Sequence, residues 1–134
     1  MPVGIVCAGQ SSAMTSIKEA YLLNLVNPIF IGNKFDIKKE ADILNWSLDN
    51  FEIIDENDEY KASIIGAELA KNNKIKVIIK GNLHTDILMK VYLKKEFNLI
   101  GKKRLSHIWH ITSPISKKPI FITDGALNVT PRIE

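Results

Sequence analysis

Four short apolar runs, each followed by a stretch with helical periodicity, set the range of folds open to this chain. Val3-Gly4-Ile5-Val6-Cys7 ends in Ala8-Gly9, Pro28-Ile29-Phe30-Ile31-Gly32 is punctuated at both ends, and Phe51-Glu52-Ile53-Ile54 and Lys76-Val77-Ile78-Ile79 follow. Nearly continuous apolar runs of this length suit strands buried on both faces, as parallel strands are. Between them the apolar spacing becomes helical. Ser11-Ser12 offer an N-cap ahead of Met14, Ile17, Tyr21 and Leu25, and Ile37, Ala41 and Leu44 fall in register over 34–44. Ala62, Ile65 and Leu69 share one side over 58–71, and 85–95 reads as the next helix. Strands and helices alternating over short connections predict an α/β fold, a mostly parallel sheet covered on both faces in three αβα layers.

After about residue 98 the rhythm changes. Ser106 to Ile111 and Pro119 to Thr123 read as two strands joined by the turn-rich Ser113 to Lys118. So short a loop requires an antiparallel pair, which makes the expected sheet mixed. Neither repeats nor linkers interrupt the 134 residues, and a single domain over 1–134 is expected.

Composition narrows the function classes. The net charge is +3, but sixteen of the eighteen basic residues are lysines interleaved with acids, and no stripe of aromatic and basic residues appears. Nucleic acid is therefore not an expected partner. One cysteine, Cys7, forms no internal disulfide, and no Cys/His cluster suggests a metal. No run approaches the roughly 18 apolar residues of a membrane span. A cytoplasmic protein without a membrane anchor is expected.

Chemistry-bearing residues gather in three places. Lys80-Gly81-Asn82-Leu83-His84-Thr85-Asp86 lies between a strand and a helix, where helix-start amides, a lysine and a threonine hydroxyl can hold an anion. The plainer alternative is that Gly81 turns the chain, Thr85 caps the helix and Lys80 faces solvent. Arg104-Leu105-Ser106-His107 places one of only two arginines beside a serine, suited to a phosphate or to the open surface. Asp124-Gly125-Ala126-Leu127-Asn128 follows a strand, where a carboxylate and an amide can line a site or turn the backbone. No nucleophile, base and orienting group stand together. Cys7 is expected to pack as a small hydrophobe, and His84 and His107 as loop and strand histidines.

Taken in order, these segments resemble the phosphate acetyl/butyryltransferase family, the butyryl branch most closely. Ile29-Phe30-Ile31-Gly32 resembles that family's PILVG, the Lys80 to Asp86 segment its KGNLHTD, Arg104 to His107 its RLSH, and Ile122 to Pro131 its ITDAAVNxxP. The resemblance implies the first of two αβα domains of the isocitrate/isopropylmalate dehydrogenase type. It implies reversible acyl transfer between an acyl phosphate and coenzyme A, releasing inorganic phosphate, with coenzyme A as a substrate and no bound cofactor or metal. Carried over, Lys80, Gly81, Asn82 and Thr85 would lie near the phosphoryl group. Arg104 and Ser106 would help hold the acyl phosphate, and Asp124 and Asn128 would stand at the cleft floor. Family members run to about twice this length, and the family's catalytic Ser and Asp fall in the half without a counterpart here. A truncated or split enzyme, completed by a second chain or by homo-oligomerisation, is one expectation. A non-catalytic remnant retaining phosphate or coenzyme A binding is the other.

Overall fold

The computed structural model describes residues 1–101, 105–115 and 118–123. The chain falls into two compact units, Met1–Leu99 and Ile100–Glu134. In the first unit the elements run β1 (Pro2–Val6), α1 (Ser11–Leu22), β2 (Asn27–Gly32), α2 (Lys34–Ile43), β3 (Ile53–Asp55), α3 (Glu59–Lys71), β4 (Val77–Lys80) and α4 (Thr85–Tyr92). A 3-10 turn at Lys95–Phe97 follows.

The four strands form one parallel sheet in the order β3-β2-β1-β4. β1 is central, with Ile5 opposite Phe30 of β2 and Ile79 of β4. Its side chains alternate between two cores. Val3 and Ile5 pack with Met14, Ile17, Phe30, Ile37 and Trp46, beneath α1 and α2. Val6 packs with Ile31, Ala62, Leu83 and Leu88, beneath α3 and α4. Helices therefore cover both faces, the three-layer arrangement that the continuous apolar runs require.

The helix ends follow a shared rule. The Asn33 side chain accepts from the N–H groups of Phe35 and Asp36 at 2.9 and 3.0 Å, and Asp58 accepts from Lys61 at 2.9 Å. α1 differs from expectation: its N-cap is Gln10, with no side-chain cap bond, and Ser11 and Ser12 lie inside the first turn. Just past α1, α2 and α3 stand Asn24, Asn45 and Asn73, with φ of 57°, 49° and 57°. At each, two N–H groups reach back to the last turn; after α2, Asn45 donates to Asp42 at 3.0 Å and Trp46 to Ala41 at 2.9 Å. These are Schellman closures with asparagine in the left-handed position.

The second unit contains β5 (Ile108–Thr112) and β6 (Pro119–Thr123), paired antiparallel with His110 opposite Phe121. The expected antiparallel pair is present, but it forms a sheet of its own and does not extend the parallel one. The mixed character therefore belongs to the chain and not to a single sheet. All ten residues of this hairpin are exposed.

Candidate functional site

β4 leaves the sheet at Lys80, and 81–84 carry the chain into α4. The Gly81 N–H donates to the Val6 carbonyl at 2.8 Å, and the Asn82 N–H to the Cys7 carbonyl at 2.9 Å. This turn thus lies directly on the carboxyl end of β1. A β-carbon at Gly81 would overlap the Cys7 carbonyl oxygen and come within 2.8 Å of that of Val6. Glycine is demanded here by the close approach of the β1 backbone, a constraint that neither the anion nor the turn reading of the sequence contained.

The other amides are engaged as well. Leu83 donates to Gly81 at 3.1 Å, and His84 donates to Glu59 Oε2 at 3.0 Å. The backbone N–H groups of 81–84 thus all have partners within the chain, while the helix-start amides expected to face an anion begin only at Thr85 and are not among these four. Nor does Thr85 cap α4; it is the first helical residue, and His84 occupies the N-cap without a side-chain cap bond. What the segment presents to solvent is its side chains, since Lys80, Asn82 and Thr85 are all exposed.

Glu59, the first residue of α3, is the member that sequence reasoning missed. Its carboxylate lies 3.0 and 3.2 Å from His84 Nδ1 and also accepts the His84 N–H. The bonds to His84 lower the Glu59 pKa, and the Glu59 carboxylate in turn raises that of His84. Twenty-five residues separate the two, and no local motif joins them. Only the packing of α3 against α4 brings their N-terminal ends together.

Cys7, at the end of β1, has a left-handed φ of 54°. Burial, with Glu59, Asp58 and Glu56 nearby, pushes its thiol up to about 11, and Lys80 opposes them. The thiol is therefore neutral near pH 7 and packs against the Val6 and Leu83 core.

Among the expected site residues, Lys80, Gly81, Asn82 and Thr85 stand together at the carboxyl end of β4. Ser106 is exposed just ahead of β5 in the second unit. Arg104, Asp124 and Asn128 lie outside the described residues. A cavity of about 650 Å³ opens elsewhere, between α2 and the Trp46 to Phe51 connection, lined by Lys34, Lys38, Asp42, Trp46 and Asp49. Its lysines stand among aspartates, and Lys80 at the carboxyl end of β4 likewise shares its surroundings with Glu59 and Asp86, so charge alone does not separate the two places. Among the described residues no three His, Cys, Asp or Glu side chains converge as a metal would need, and no helix is long and apolar enough to cross a membrane.

Known proteins resemble this chain over most of its length. Phosphate acetyltransferase of Rickettsia felis is 34% identical over 111 residues, covering 83% of this chain and 32% of the relative. Phosphate butyryltransferase of Clostridium beijerinckii is 28% identical over 132 residues, covering 98% of this chain and 44% of the relative. The chain is a relative of the phosphate acetyl- and butyryltransferases. It spans about a third to under a half of their length. No family model matches the sequence.

Solved structures agree on the fold. A branched-chain phosphotransacylase from Enterococcus faecalis superposes with a TM-score of 0.73 at 23% identity, covering 98% of this chain and 45% of that one. A phosphotransacetylase from Streptococcus pyogenes gives 0.72 at 13% identity, covering 98% and 48%.

Proposed function

We propose that this phosphate acyltransferase relative handles an acyl phosphate at the carboxyl end of β4, with coenzyme A as the second substrate. The observation that carries the proposal is the relatedness over most of the chain, in which an exposed lysine, amide and hydroxyl follow the strand. In the transfer the coenzyme A sulfur bonds to the acyl carbon, the carbon–oxygen bond to phosphate breaks, and inorganic phosphate departs. Lys80 supplies the positive charge that such a leaving group needs, and Asn82 and Thr85 supply hydrogen-bond donors. Arg104, Ser106, Asp124 and Asn128 remain substrate residues by the family resemblance alone. The chain matches under half of each relative, so turnover in this reading draws on residues beyond these 134. Its setting in this reading is the cytoplasm.

A second reading is a non-catalytic protein that binds phosphate or coenzyme A. The engaged amides of 81–84 favour it, since those four are withdrawn from binding. Thioester formation from acetyl or butyryl phosphate and coenzyme A separates the two. Turnover lost on Lys80→Ala supports the enzyme; binding by calorimetry without turnover supports the second reading; neither result refutes both.

A further inference from the structure

His84 directly precedes Thr85 and lies within reach of the Lys80 charge, yet neither it nor its partner Glu59 has a part in the acyl phosphate reading. Their geometry gives them one. A carboxylate only accepts hydrogen bonds, so with Glu59 at 3.0 Å the proton of the neutral imidazole sits on Nδ1. The ring is fixed in one tautomer with Nε2 as its remaining polar atom, and the side chain stays 75% exposed. Unprotonated, Nε2 presents a lone pair and repels an oxyanion. Protonated, it presents an N–H donor and a positive charge, while the imidazolium neutralises Glu59, the nearest competing anion.

We propose that Glu59 and His84 act as a protonation-dependent anion contact: His84 donates Nε2–H to an oxyanion held by Lys80 and Thr85, and Glu59 is the positioning residue that sets its tautomer. The inference rests on the acyl phosphate reading for the presence of that oxyanion. The charges facing the pair come from three elements. Asp86 of α4 favours the imidazolium, Lys80 of β4 opposes it, and Asp58 at the α3 N-cap opposes ionisation of Glu59. The Glu59 bond is the largest of these influences, and it raises the His84 pKa.

Sulfate, a dianion at every pH used, is the probe, because phosphate would itself titrate. Its affinity for the full chain is measured by NMR between about pH 5.5 and 8.5, alongside the His84 ring titration. Binding should tighten by about three- to tenfold toward low pH, the size of a solvent-screened charge-assisted contact, with the midpoint of the His84 ring. His84→Gln should flatten the profile. Glu59→Gln keeps an acceptor for the His84 N–H, and should lower both midpoints together. Sulfate binding that is flat with pH, or a slope unchanged in His84→Gln, overturns the inference and leaves the Lys80 reading standing. No binding of sulfate or inorganic phosphate at any pH overturns both. A His84 midpoint unmoved by Glu59→Gln overturns the positioning role by itself.

Discussion

Gly81 and Cys7 approach so closely that no side chain fits between them. A β-carbon at Gly81 would stand 2.7 Å from the Cys7 carbonyl carbon, and both partners are backbone. Gly81→Ala must therefore push β4's exit away from β1 and strain the bonds to Val6 and Cys7. A loss of about 2–4 kcal/mol is expected, combining overpacking with weakened buried hydrogen bonds, and urea unfolding measures it. An unchanged midpoint would show that this turn yields freely.

Thr85→Ala should do little to stability, within about 0.5 kcal/mol, because the residue is exposed and makes no cap. A loss near 1 kcal/mol in the same unfolding experiment would restore the capping role read from the sequence.

The aromatic cluster of the α1/α2 core predicts a larger effect. Trp46 lies 5.3, 5.6 and 5.9 Å, centroid to centroid, from Phe51, Phe30 and Tyr21. Trp46→Ala should cost about 3–5 kcal/mol by leaving a cavity among them. A smaller loss of thermal stability would mean that the neighbouring rings collapse into the space.

Asn45 offers a test in which one substitution should harm and another should not. Its φ of 49° strains any residue with a β-carbon, asparagine least among them. Asn45→Ala is expected to cost about 1 kcal/mol, and Asn45→Gly to match the parent chain or exceed it. Equal losses in both would rule out conformational strain as the cause.

Stability should vary with pH through two groups of opposite sign. His84 is raised in the folded chain, so its contribution is complete below its unfolded pKa and fades as pH rises through the folded value. Glu59 is lowered, so its contribution is complete above its unfolded pKa and fades as pH falls through the folded value. Both are present between the unfolded values, about pH 4.3 to 6.5. The stability difference between the parent chain and His84→Gln should shrink from that window toward alkaline pH, and a constant difference would contradict the pairing.

The parallel sheet was legible because its signal is local: Val3 to Val6 and Pro28 to Gly32 are apolar at nearly every position, and only two-sided burial explains that. The turn at Gly81 was legible for the same reason, since a glycine between a strand and a helix marks a close turn. The asparagines closing the helices were less so, because asparagine is frequent throughout this sequence and its composition hides its positions. The Glu59–His84 pair was hidden altogether. It depends on the packing of two helices whose first turns are 25 residues apart, which no periodicity encodes. That β5 and β6 pair as a two-stranded sheet of their own is likewise something a short connecting loop does not specify.

That hairpin has a practical consequence. Trp109, Ile111, Ile120 and Phe121 are each 44–64% exposed, so the two strands hold one another with little apolar burial of their own. A two-stranded ribbon in water opens readily, and its amide hydrogens exchange on opening. The strand amides of Ile108–Thr112 and of 120–123 thus report whether the ribbon is covered. They exchange fast while the ribbon stands in water and slow from the moment another surface closes over it.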